Sequence, residues 1–274
     1  MNIPPSPSCI VPRKSWRSGV ALSGTRELAE EVPVAFSYDG AIHAVMMASP
    51  GDAEDFAIGF SLTEGIISAP REIAEVEIAA LADGITARVW LTDKPSEAFA
   101  ARRRRYVGPA GCGMCGLESI AQAIRAVPQV GSNFQTTDMD IASALAAMAG
   151  EQRLNLVTHA VHAAGFWRAD AGIVVREDVG RHNALDKLAG AMAQQNIPTA
   201  DGIVVMTSRI SVELVQKAAM IGVPILAGVS APTALAVRTA AACGITLVGI
   251  ARDDGFEVFS EDWRVHCRAV SYVA

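Results

Sequence analysis

The stretch GIVVREDVGRHNALDKLAGAMAQQNIPTADGIVVMTSRISVELVQKAAMIGVPILAGVSAPTALAVRTAAACGITLVGIA, residues 172–251, decides the fold. Four short apolar runs stand at 172–176, 202–206, 223–228 and 245–251. Between them lie an amphipathic stretch reaching Ala193 and helical stretches over 211–221 and 233–242. Strand-like runs alternating with helical ones predict βαβ crossovers and a mixed, mainly parallel sheet. The preceding LNLVTHAVHAAGFW, residues 154–167, joined through Arg168–Gly172, predicts an antiparallel strand at one side.

In such a sheet, ligands bind beyond the carboxyl ends of the strands. The first run is followed there by Glu177, Asp178, Gly180, Arg181, His182 and Asn183, and the second by Thr207, Ser208, Arg209 and Ser211. Ser230 and Thr233 follow the third, and Arg252, Asp253 and Asp254 the fourth. Hydroxyls, helix starts and three arginines on one edge suit an anionic, phosphate-bearing ligand. Taken singly, each has a plainer role. The serines and Thr233 read as helix caps, Asp178 and Arg181 as a local ion pair, and His182 as a hydrogen-bonded core residue. The chain has no GKS/T and no GxGxxG motif, so an ordinary NTPase or NAD enzyme has little support.

Upstream, VPVAFSYDGAIHAVMMAS and the pair VEIAAL/ITARVWL read as hairpins turning at Asp39–Gly40 and Asp83–Gly84. Between them PGDAEDFAIGFSLTEGII reads as a helix with Asp52 at its N-cap. This makes a small α+β domain over residues 21–107, ending in the basic linker EAFAARRRRYVGPAG. A larger domain spans 108–274, and Pro- and Ser-rich residues 1–20 read as a flexible tail. The fold class is α/β (α+β overall).

The chain has 274 residues, 51% of them hydrophobic, which excludes a disordered chain. A net charge of −6 argues against nucleic-acid binding. The uncharged stretch 218–237 is long enough to span a bilayer, but Gly222, Pro224, Gly228 and Pro232 break it into a buried strand with turns. With no secretory signal, the protein reads as cytoplasmic, with no membrane contact.

Five cysteines, at 9, 112, 115, 243 and 267, are too few and too scattered for a disulfide framework. Cys112 and Cys115 lie in GCGMCG, residues 111–116, ahead of LESIAQAIRAV, whose apolar residues recur at helical spacing until Pro128. A thiol near a helix N-terminus has a lowered pKa, and the glycines let the segment move. Other chemistries compete. A zinc site lacks two further ligands, since His159 and His162 on a strand would point to opposite faces. A thioredoxin-like pair lacks the preceding βαβ unit. A zinc deaminase lacks the His-x-Glu that precedes Pro-Cys-x-x-Cys. Arg102 to Arg105 form a basic run before the cysteines, read as a solvated face or as a guide for an acidic partner.

Taken together, MMASPGDAEDFAIGFSLTEGII, CGMCG, REDVGRHNALDKL and TSRISVELVQKAAMIGVPILAGVSAPTALAV resemble the formate dehydrogenase accessory sulfurtransferase (FdhD) family over about Val32 to Phe259. The resemblance implies a homodimeric sulfur carrier whose larger domain is cytidine-deaminase-like. Such a carrier receives sulfur from a cysteine desulfurase as a persulfide and passes it to Mo-bis(molybdopterin guanine dinucleotide), or its tungsten counterpart, before insertion into formate dehydrogenase. It places the persulfide on Cys112 with Cys115 as partner. The cofactor stretch falls on Ile250, Ala251, Arg252, Asp253, Asp254 and Gly255, and the strand-end reading adds Ser208, Arg209 and Ser230. A guanine nucleotide would be a partial mimic of the cofactor. A delivery chaperone that binds the cofactor without handling sulfur is the alternative. Where the family has Thr-Gly-Gly-x-His-Ala-Ala, this chain has Thr158-His159-Ala160-Val161-His162-Ala163-Ala164.

Overall fold

The computed structural model describes residues 5–92, 127–252 and 255–267. It opens with an antiparallel ribbon of β1 (Ser8–Arg17) and β2 (Val20–Ala29), turning at Ser18 and Gly19 with φ of 49° and 78°. From Ser8 onward, the stretch expected to be a tail is therefore a strand. Both faces of the ribbon are largely exposed, so no apolar alternation marks it in the sequence. Pro12 is tolerated because each strand of a two-stranded ribbon has a free outer edge.

Next come β3 (Val32–Tyr38), β4 (Ala41–Ala48), helix α1 (Ala53–Thr63), β5 (Ile73–Leu81) and β6 (Gly84–Leu91). The two expected hairpins form, and β3 pairs with β6 in parallel to join them in the order β4-β3-β6-β5. Alternation on β3 sends Val34, Phe36 and Tyr38 inward, where α1 covers them. Phe56 meets the Phe36 ring edge-on at 4.9 Å and Phe60 stacks on it at 4.8 Å. Each such burial stabilises by roughly 1.5–3 kcal/mol. Asp52 does occupy the N-cap position of α1, but at φ 57° its side chain makes no capping bond.

The second half holds β7 (Thr136–Thr137), α2 (Asp138–Glu151), α3 (Arg153–Thr158), β8 (His162–Arg168), β9 (Gly172–Asp178), α4 (Arg181–Gln194) and β10 (Ile203–Met206). Then follow α5 (Val212–Met220), β11 (Ile225–Gly228), α6 (Ala234–Cys243), β12 (Thr246–Arg252), β13 (Gly255–Ser260) and β14 (Val265–His266), which pairs with β7. The main sheet has the order β13-β12-β11-β10-β8-β9. Strands β9 to β12 run one way while β8 and β13 oppose them, so the sheet is mixed as expected. Strand β8, however, lies not at its side but between β9 and β10, so that only β10–β11 and β11–β12 pair in parallel. The antiparallel strand is only the second half of the apolar stretch 154–167. Its first half is α3, ended by His159 at φ 53°, so His159 is not on a strand.

Strands β10 and β11 are wholly buried. Val204 and Met206 face α4, α5 and α6, whereas Ile203 and Val205 face α2. Helices on both faces account for the unbroken apolar runs. The small sheet joins this body where α1 crosses α4. A Cβ on Gly59 would lie 1.7 Å from the Asp186 carbonyl oxygen, and one on Gly190 would lie 1.9 Å from that of Asp55. Two glycines thus let the helix backbones touch. Helix α4 is consequently buried on nearly all sides from His182 to Met192. None of the described helices is long and apolar enough to cross a membrane. The expected domain boundary at 107–108 lies outside the described residues.

Candidate functional site: the strand-end edge

The carboxyl ends of β9 to β12 lie along one edge of the sheet, as their shared direction requires. The site is built from the loops and helix starts that follow them.

At the end of β9, Asp178 is fully buried and pairs with Lys187 at 2.7 Å, not with Arg181. Its carboxylate also accepts from the backbone N–H groups of Ser49 and Gly180 and from Asn183 Nδ2. Lys187 in turn donates to the Ser49 carbonyl at 2.8 Å, and Asn183 to that of Met47 at 2.9 Å. One buried carboxylate therefore fixes both the entry to α4 and the loop leaving β4. Glu177 has a separate task, accepting from the N–H groups of Leu154 and Asn155 at the start of α3.

A second buried network lies further along α4. Lys217 donates to Asp186 at 2.8 Å, to Glu64 at 2.7 Å and to Thr63 at 3.1 Å, while Thr63 donates to Asp186 at 2.6 Å. Burial alone would depress the Lys217 ammonium, but the Asp186 and Glu64 carboxylates outweigh it and raise its pKa. Together the two networks tie α1, α4 and α5 into one rigid support.

Between the starts of α4 and α5 stands His182, 6% exposed. Its Nε2 lies 3.4 Å from both Ser211 Oγ and Glu213 Oε2, and Ser211 donates to Glu213 at 2.6 Å. Burial would raise the Glu213 carboxyl, but hydrogen bonds from His182 and Ser211 prevail and lower it to about 2. His182 is thus a hydrogen-bonded buried residue, as its plainer reading has it. Ser211 sits at the N-cap of α5 without capping it, and Gly180 leaves α4 uncapped by any side chain. Two helix N-termini therefore present N–H groups not met by a capping side chain. Beside them the Nε of Arg181 is buried with no hydrogen-bond partner. His162, opposite Asp178 on β8, has a lowered pKa from burial and from the Arg181 charge.

Along β10 to β12, Ser208 is buried and donates to the Arg209 carbonyl, and Arg209 is exposed. Thr207 accepts from the Ala163 N–H. Thr233 does cap its helix, accepting from Ala236 N–H at 3.2 Å, so its plain reading holds. The Ser230 carbonyl accepts from Ile250 N–H at 3.3 Å across a bulge in β12. Ile250 has φ 52°, a left-handed conformation that costs a β-branched residue roughly 1–2 kcal/mol. Ala251 is buried, Arg252 and Gly255 are exposed, and Gly255 has φ 140°. The expected residues Ser208, Arg209, Ser230, Ile250, Ala251, Arg252 and Gly255 all stand at the ends of three neighbouring strands.

Asp253, Asp254, Cys112, Cys115 and the Arg102–Arg105 run lie outside the described residues. Cys243 is buried, with its thiol pushed up by burial, while Cys9 and Cys267 are exposed. No cluster of three or more His, Cys, Asp or Glu suited to a metal occurs among the described residues. Residue reading alone missed Lys187, Ser49 and Glu213. Only Glu213 had a local signal, standing two residues after Ser211 at a helix start.

The chain is 53% identical over 257 residues to the sulfur carrier protein FdhD of Agrobacterium fabrum, covering 93% of this chain and 95% of that one. It is 51% identical over 243 residues to the protein of the same name from Brucella abortus, covering 88% and 90%. The crystal structure of a formate dehydrogenase accessory protein from Desulfotalea psychrophila superposes with a TM-score of 0.77 at 24% identity, over 95% of this chain and 100% of that one. Its agreement extends the fold to a distant sequence. The FdhD/NarQ family model matches residues 29–266, from the end of the ribbon to β14. With that model matching most of the chain and relatives more than half identical along nearly its whole length, the chain belongs to the FdhD/NarQ family.

Proposed function

We propose that this protein is a cytoplasmic, homodimeric sulfurtransferase that serves formate dehydrogenase. Cys112 takes sulfur from a cysteine desulfurase: its thiolate attacks the outer sulfur of the desulfurase persulfide, forms the new S–S bond and releases the desulfurase thiolate. Cys115 then supplies the two electrons that turn this sulfane sulfur into a usable sulfide. Its thiolate attacks the Cys112 sulfur, closes a Cys112–Cys115 disulfide and expels hydrosulfide toward the acceptor. The acceptor is Mo-bis(molybdopterin guanine dinucleotide), held as substrate at the strand-end edge.

The observation that carries the second half of this reading is the pair of uncapped helix N-termini beside the unpartnered Nε of Arg181. N–H groups at helix starts that no side chain caps favour phosphate, and a buried donor without a partner calls for an acceptor. Ser208, Arg209, Ser230 and the Ile250–Gly255 stretch extend that polar edge along the neighbouring strands. The bulge at Ile250 turns the end of β12, at a cost in backbone strain that a binding role would explain.

The test has two arms. After incubation with a cysteine desulfurase and cysteine, mass spectrometry should find one extra sulfur on Cys112, and the Cys112→Ala variant should mature no active formate dehydrogenase. Calorimetry should detect a guanine nucleotide binding to wild type and weaker binding to Arg252→Ala. Nucleotide binding without a persulfide would instead identify a delivery chaperone.

A further inference from the structure

The ribbon β1–β2 is a part of the fold that the proposed site does not use. Ile10, Trp16, Val20, Leu22 and Leu28 are 71, 70, 56, 58 and 38% exposed on this single hairpin. The ribbon touches the body of its own chain where β2 meets α3 and is otherwise largely open to solvent. Two strands with so little buried face are at best marginally stable in water, and concentrated exposed apolar side chains mark an interaction surface. The pairing register sorts the side chains further. Arg17 lies opposite Val20, Ser15 opposite Leu22, Arg13 opposite Gly24, Val11 opposite Arg26 and Cys9 opposite Leu28. One face therefore carries Val20, Leu22 and Leu28 together with Arg13, Arg17 and Arg26, while Ile10, Lys14 and Trp16 lie on the other.

Charge narrows the choice of partner. With Arg13, Lys14, Arg17 and Arg26 against Glu27, the ribbon carries +3 on a chain of net −6, which leaves −9 on everything else. Two ribbons would repel each other, whereas a ribbon and the body of another copy attract. Area narrows it as well. Ten residues per strand make the ribbon about 33 Å long and roughly 10 Å wide. One ribbon laid on one body covers roughly 330 Å² on each side. A reciprocal exchange of two ribbons doubles this to about 1,300 Å² in total, within the range of stable interfaces.

We propose that the ribbon is an exchange arm: the face bearing Arg13, Arg17, Val20, Leu22 and Arg26 lies on the acidic body of a second copy, which returns its own arm. This rests on the homodimer reading above and assigns the surface that makes the dimer.

Sedimentation of the full-length chain tests it. The expected result is a dimer that weakens as salt rises, and at least about tenfold weaker association in Val20→Ser/Leu22→Ser and in Arg13→Glu/Arg17→Glu. All of these positions are exposed, and circular dichroism should show both variants folded. A wild-type monomer would overturn both the arm and the homodimer. A dimer that both folded variants leave unchanged would overturn the arm alone and leave the homodimer standing.

Discussion

Lys187 Nζ lies 2.7 Å from Asp178 Oδ2, and neither side chain has any exposed surface. Asp178 ends β9 and Lys187 lies within α4; besides the Gly180 N–H and the Asn183 amide at the start of that helix, the pair binds the Ser49 backbone in the loop after β4. It therefore joins the small sheet to the end of β9, where the strand-end site begins. Removing one partner leaves an uncompensated buried charge. Lys187→Met should cost about 3–5 kcal/mol, read as a lower urea midpoint at unchanged slope. A loss below about 1 kcal/mol would show that the pair does not hold the junction.

The glycine crossing of α1 and α4 makes a second prediction. At Gly59 a Cβ would overlap the Asp186 backbone, and backbone on a packed helix cannot move aside like a side chain. Gly59→Ala should destabilise by about 3 kcal/mol or more, whereas Gly131→Ala, where a Cβ meets nothing within 4 Å, should change stability by no more than about 0.5 kcal/mol. Thermal unfolding of the two variants checks the contrast.

Helix α2 begins with a reciprocal cap. Thr137 Oγ1 accepts from Asp140 N–H at 3.2 Å, and Asp140 accepts from Thr137 N–H at 3.0 Å. Thr137→Ala should cost about 1 kcal/mol, measurable by denaturant titration, with Thr137→Asp recovering most of it.

Glu213 gives a pH dependence of definite sign. Its carboxyl titrates near 4.5 when free and at about 2 in the folded protein. A folded-state pKa below the unfolded one adds stability that is present above pH 4.5 and lost as pH falls toward 2. The fall in wild-type stability over that window should be shallower in Glu213→Gln, measured by denaturant unfolding at pH 5 and pH 3. Equal slopes would mean that the contacts to His182 and Ser211 do not persist in solution.

Much of this was legible in one dimension. The hairpin turn at Asp39–Gly40 formed where the dipeptide predicted it, since a two-residue turn is a local matter, whereas the second hairpin turns one residue early, at Ala82–Asp83, and Gly84 opens β6 opposite Leu81. The fully buried strands β10 and β11 matched unbroken apolar runs. The ribbon was not legible, because a strand exposed on both faces has no apolar period to read. Nor was α3, whose short LNLVT segment fits strand or helix equally and is settled by the Glu177 carboxylate at its start.

For the site, the sequence by itself determined which polar residues stand at which strand ends, and its motifs resemble those of the family to which the chain belongs. Only the tertiary structure decided which groups meet. Asp178 faces Lys187 and not Arg181, Ser211 serves Glu213 and not its own helix, and Arg181 Nε is left without a partner. Periodicity and capping act over a few residues and are written locally. The partner of a buried charge is chosen by how elements more than a hundred residues apart pack, as Ser49 and Asp178 are, and that is set by the whole fold.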